Sequence, residues 1–217
     1  MDGNAACGLK KQSPIDIVTK DVKYNDHLKE FVMSGYDEVQ GTLFLHNNGH
    51  SVQVDTNDAN WTVSGGSLAD TYKLLQFHFH WGKDSKTGSE HTINSQQYPL
   101  EMHMVHMSTK YDDIHDALTE DKSLTVITVM FEVGTEENKH FKTLTDGLKK
   151  VKHNGENETL TTFAIKPMMP SNLADYYTYA GSLTTPPCSE VVVWNIFEET
   201  VKISEKQVIY ELRLLHI

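Results

Sequence analysis

Gln76-Phe77-His78-Phe79-His80-Trp81 alternates polar and apolar side chains without a break. On a β-strand, side chains two apart share a face, so Gln76, His78 and His80 project to one side. Leu75, Phe77, Phe79 and Trp81 are expected on the other, in a dry core. Two imidazoles side by side on a rigid strand supply half of a zinc site without help from a flexible loop. Downstream, Leu100-Glu101-Met102-His103-Met104-Val105 alternates in the same way, with Glu101, His103 and Val105 on one face and Met102 and Met104 on the other. A third histidine on a neighbouring strand completes a tripod and leaves the fourth tetrahedral position open to water. That open position separates a catalytic zinc from a structural one, which four protein ligands close. Gln76 and Glu101 each precede a candidate ligand by two residues on its own face, placed to accept the second imidazole N–H and so set its tautomer. A lone His-x-His also occurs in half-buried strands that bind nothing. The third histidine and the two polar neighbours favour metal. His27, His46, His106, His115, His140, His153 and His216 show no such arrangement and are expected at the surface or in the core.

Working outward, short alternating runs recur at Thr42–His46, Ser51–Asp55, Leu74–Trp81, Leu100–His106, Leu124–Val133 and Val191–Phe197, separated by Gly, Asn, Asp and Pro. The chain therefore reads as mainly β. Two helices are expected. Phe141, Leu144, Leu148 and Val151 fall on one helical face ahead of Asn154-Gly155, a C-terminal stop. Ser204-x-x-Gln207 resembles a capping box before Val208, Leu212 and Leu215.

With 217 residues the chain is most simply one domain over 1–217. Its 30 acidic against 19 basic residues, a net charge of −11, argue against nucleic acid and anionic membrane surfaces. No apolar run approaches the ~20 residues that span a bilayer. Cys7 and Cys188 are either two buried free thiols or a bridge. The sequons Asn60-Trp61-Thr62 and Asn157-Glu158-Thr159 permit N-glycosylation.

Six collinear stretches carry a resemblance. QSPIDI (Gln12 to Ile17), NNGHSVQV (Asn47 to Val54), QFHFHWG, GSEHTI (Gly88 to Ile93), LEMHMVH (Leu100 to His106) and YAGSLTTPPCSE (Tyr179 to Glu190) together resemble an alpha-class carbonic anhydrase. The resemblance implies a large, twisted, mostly antiparallel central sheet with short peripheral helices. It implies zinc held by His78, His80 and His103, and reversible hydration of CO2 to bicarbonate and a proton by attack of a zinc-bound hydroxide. Thr184, hydrogen-bonded to Glu90, is expected to orient that nucleophile, and Thr185 to contact bicarbonate. Val105, Val126, Leu183, Val192 and Trp194 match the apolar wall of the CO2 pocket. His50 matches the position that shuttles the proton to buffer, with Asn48 and Gln53 beside the intervening waters. The resemblance also implies a Cys7–Cys188 disulfide, and with it a secreted or extracellular protein (periplasmic if bacterial). No signal-peptide pattern opens the chain, which reads as a mature fragment.

The chain is short at both ends against this pattern. It stops at Leu215-His216-Ile217, where the family continues through a segment that supplies a carbonyl partner for the second ligand ring, here His80. Without that partner, metal affinity is expected to fall by about 10- to 100-fold, and a sheet edge to lie exposed. A catalytically weak or silent binding or matrix domain on the same scaffold is therefore the alternative to the enzyme. A zinc hydrolase would share the metal, but the narrow apolar wall and the Thr184–Glu90 pair favour CO2.

Overall fold

The alternating runs pair with one another in a computed structural model that describes residues 5–161 and 163–207. In chain order the strands are β1 (Asp16–Ile17), β2 (Phe31–Ser34), β3 (Leu43–Asn47), β4 (Val52–Asp55), β5 (Thr62–Gly65), β6 (Tyr72–Trp81) and β7 (Thr92–Ile93). They continue with β8 (Leu100–Ser108), β9 (Leu124–Gly134), β10 (Asn157–Leu160), β11 (Tyr176–Gly181), β12 (Val192–Phe197) and β13 (Val201–Ser204). Helices α1 (Ile114–Ala117) and α2 (Lys142–Leu148) are short and sit between strands. The six alternating runs coincide with β3, β4, β6, β8, β9 and β12. The short strands β2, β5, β10, β11 and β13 lie outside them.

Eleven strands form one sheet, with the path β10-β3-β4-β6-β8-β9-β12-β11, β13 added to β9, and β2 and β5 branching from β6. Pairing is antiparallel except where β9 takes β12 along its first half and β13 along its second, both parallel. β1 and β7 form a separate parallel pair. One face of the sheet carries Phe77, Phe79, Met102, Met104, Ile127 and Val129, all buried in the main core with Phe141, Leu144 and Leu148 from the α2 region. Phe141, Leu144, Leu148 and Val151 are buried together, as their helical spacing requires, and Gly155 beyond them has a positive φ of 87°. The other face carries the histidines.

Leu75 departs from the expected alternation. The register of β6 against β8 shifts between Leu74 and Gln76, so Leu74 opposes His106 and Gln76 opposes Val105, with Leu75 as an extra residue. A bulge of this kind reverses which face the preceding residues address. Leu74 therefore enters the main core, and Leu75 packs instead with Val105, Val126 and Trp194 on the histidine face.

The capping contacts expected after β13 are present: Ser204 N donates to Gln207 Oε1 at 3.2 Å and Gln207 N donates to Ser204 Oγ at 3.3 Å. Val208, Leu212 and Leu215 lie outside the described residues. Cys7 and Cys188 are disulfide-bonded with their Cα atoms 4.9 Å apart, which ties the N-terminal segment to the loop carrying Thr184 and Thr185. A groove of about 900 Å3 runs between the segment Ile15 to Leu28 and β11. No helix among the described residues is long and apolar enough to cross a membrane.

Candidate metal centre

Antiparallel pairing of β6 and β8 sets His78 opposite His103 and His80 opposite Glu101. The ring centroids lie 5.0 Å apart for His78 and His80, 5.2 Å for His78 and His103, and 4.6 Å for His80 and His103. One ring nitrogen from each of the three lies within 4.8 Å of the other two. Hydrogen bonds decide which nitrogens remain available. His78 Nδ1 donates to Gln76 Oε1 at 2.8 Å, leaving Nε2 with its lone pair. His103 Nε2 donates to Glu101 Oε1 at 2.5 Å, leaving Nδ1. Gln76 and Glu101 thus stand where their spacing put them.

His80 differs. Its Nε2 is buried without a hydrogen-bond partner and lies 3.4 Å from Glu90 Oε2, which is also buried and unpartnered among the described residues. A buried polar atom left unpaired costs about 1–3 kcal/mol. Two of them face each other here, beside two further imidazole lone pairs, and a cation is the ligand that satisfies such a set. Burial, followed by the neighbouring His103, holds His78 well below the ordinary imidazole value and brings His80 down to about 3. Both rings are therefore neutral at neutral pH, the form that ligates metal. The donor set fits zinc.

Glu101 is the hub behind the histidines. Fully buried, it accepts from Glu90 N at 2.7 Å, His91 N at 2.9 Å, His91 Nδ1 at 2.7 Å and His103 Nε2. Burial alone pushes its carboxyl up, but His103 and His91 outweigh it and hold the group well below the usual carboxylate range. His91 is the residue that sequence reasoning missed. It is fully buried, its Nε2 meets the Tyr179 hydroxyl at 2.7 Å, and that hydroxyl meets Ser13 Oγ at 2.9 Å. Burial pushes the Tyr179 hydroxyl up. His91, Glu101 and His103 also come within ligating distance of one another, but their donors and acceptors are spent on each other.

Val105, Val126, Val192 and Trp194 are buried in one cluster with Leu183 packed against it. The register explains the grouping: Val105 opposes Val126, and Val126 opposes Trp194, across three strands. Trp194 stands 4.8 Å from the His103 ring, and its Nε1 donates to Ser182 O at 3.0 Å. Thr184 is half-buried and Thr185 exposed, on a loop closed by Cys188 N donating to Thr185 O at 2.9 Å. Among the described residues no hydrogen bond joins the Thr184 hydroxyl to Glu90 Oε2. Glu90 turns toward the histidines instead, and its Oε2 has no hydrogen-bond partner among the described residues. His50 is exposed at the β3–β4 turn, where Asn48 Oδ1 accepts from His50 N at 2.9 Å and Ser51 N at 2.8 Å. Asn48 thus serves the turn, while Gln53 Nε2 donates to Asp55 Oδ1 at 2.7 Å. Asn60 and Asn157 are both exposed.

Comparison with known proteins bears on this geometry. The family model for eukaryotic-type carbonic anhydrase matches residues 2–216. Carbonic anhydrase 6 from Bos taurus is 39% identical over 206 residues, which are 93% of this chain and 64% of that protein. Carbonic anhydrase 15 from Mus musculus is 39% identical over 212 residues, covering 94% of this chain and 65% of that protein. A region of the receptor-type tyrosine-protein phosphatase zeta from Homo sapiens is 38% identical over 206 residues, 93% of this chain but 9% of that protein. The chain thus spans a little under two thirds of the length of these two anhydrases.

Proposed function

The chain belongs to the eukaryotic-type carbonic anhydrases, and from that premise we propose that it is a single-domain zinc enzyme hydrating CO2 reversibly to bicarbonate and a proton. The observation that carries this is the trio of rings on β6 and β8, each with one nitrogen turned inward and each kept from protonating or held by a neighbour. His78 Nε2, His80 Nε2 and His103 Nδ1 would hold the metal. Bound there, zinc would supply a Lewis acid that lowers the pKa of a coordinated water to about 7, a value known from carbonic anhydrase itself.

The remaining tasks fall to the chain. Gln76 and Glu101 hold two of the rings in the ligating tautomer. Val105, Val126, Leu183, Val192 and Trp194 keep the pocket apolar, which suits a small uncharged substrate and excludes competing water. With zinc bound at His80, Glu90 would turn from that ring to accept the Thr184 hydroxyl proton, which would leave a Thr184 lone pair facing the attacking oxygen. Thr185 meets the bicarbonate product, and His50 passes the proton to buffer. The Cys7–Cys188 disulfide supports an oxidising, extracellular compartment, where Asn60 and Asn157 can carry glycans.

The test is a stopped-flow CO2 hydration assay with and without chelator, beside a zinc determination. We expect one equivalent of zinc and a rate that chelator abolishes. Zinc retained in full with no hydration would instead support a silent binding domain.

A further inference from the structure

Cross-strand register places one more histidine in line with the metal centre. His46 on β3 opposes Gln53 on β4, Gln53 opposes His78 on β6, and His78 opposes His103 on β8. Directly opposed residues share a face, so His46, Gln53, His78 and His103 form one row on the histidine side of the sheet. Leu45 and Asn47, on either side of His46, point the other way and are buried. At about 4.8 Å per strand, His46 stands roughly 10 Å from His78, a span that a short chain of waters bridges.

We propose that His46, with Asp55, is a second proton relay of this site, working in parallel with His50. The inference rests on the CO2-hydration reading above. His46 Nδ1 lies 3.4 Å from Asp55 Oδ2, with the two side chains 28% and 31% exposed. They are sheltered enough to hold a geometry and open enough to meet buffer. From β4, Gln53 Nε2 steadies the other Asp55 oxygen at 2.7 Å. From β10, the residue opposite His46 is the uncharged Asn157. The charged group facing the ring from these strands is therefore the Asp55 carboxylate. Each transfer balances: a water of the site gives a proton through the chain to His46 Nε2, the imidazolium forms against Asp55, and a buffer base in solution removes the proton.

Two measurements decide this. In weak buffer, oxygen-18 exchange on the zinc-loaded protein is compared for His50→Ala, His46→Ala and the double variant. We expect His50→Ala to keep a substantial rate and the double variant to lose roughly a further tenfold, less than a directly placed acid or base contributes because bulk water competes. The loss should fall on kcat rather than kcat/KM, and concentrated imidazole buffer should restore it. Separately, the ring nitrogen NMR shifts of His46, read at a single pH, should differ between the parent and Asp55→Asn, because Asp55 selects the nitrogen that carries the proton. A double variant as fast as His50→Ala, or His46 ring shifts indifferent to Asp55, overturns the relay. Failure of the parent protein to hydrate CO2 would refute the proposed function instead. The ring shifts need no turnover and still report on the His46–Asp55 pair.

Discussion

His106 lies fully buried one strand face away from the metal centre, with Nδ1–H donated to Met104 O at 2.8 Å and Nε2 accepting from the Tyr36 hydroxyl. Burial brings its pKa down to about 4 from an ordinary 6.5. The unfolded chain therefore binds this proton more readily than the folded one. Its contribution is fully present above about pH 6.5 and is lost as pH falls toward about 4. For a fully buried ring this amounts to roughly 3 kcal/mol, and protonation would also turn the acceptor of Tyr36 into a donor. His106→Gln keeps one donor and one acceptor but cannot titrate. Urea midpoints taken from neutral pH downward should fall less steeply for that variant, and parallel slopes would contradict this assignment. The spacing of His106 in LEMHMVH correctly left it outside the metal trio. His91 was illegible for a different reason: its partners, Glu101 and Tyr179, are 10 and 88 residues away, and nothing local in GSEHTI announces them.

Among the elements, β6 and β8 were readable because strict alternation over a long run fixes both the strand and its faces. The bulge at Leu75 was not, since a register shift leaves the local pattern intact and appears only against the partner strand. The strands β2, β5, β10, β11 and β13 escaped for a related reason: runs of four to six residues are selected by long-range pairing more than by their own periodicity. The β3–β4 turn that carries His50 was legible in Asn48-Gly49. Gly49 has φ +80°, and a Cβ there would approach the Asn154 side chain to 2.9 Å. Gly49→Ala should therefore cost about 1–2 kcal/mol, measured by chemical denaturation. It should also slow proton export in weak buffer. Unchanged stability would mean that the turn relaxes without strain.

At the scale of the whole molecule, the mainly β class and the single large sheet followed from the alternating runs and the family resemblance together. The disulfide was legible only through the resemblance, because a pairing across 181 residues has no local signature. Cys7→Ser with Cys188→Ser should destabilise the protein by about 2–5 kcal/mol. Amide exchange should quicken first in the loop around Thr184, which the bridge anchors. Equal exchange there in both proteins would assign the loop's order to other contacts. The Thr184–Glu90 pair is expected from the resemblance, while Glu90 Oε2 faces the unpartnered His80 nitrogen at 3.4 Å. The most direct test of the central claim is therefore a crystallographic anomalous difference map at the zinc edge. One peak is expected, about 2.0–2.1 Å from each of His78 Nε2, His80 Nε2 and His103 Nδ1, with no fourth protein atom bound. A peak elsewhere, or one whose fourth corner is closed by Glu90, would contradict it.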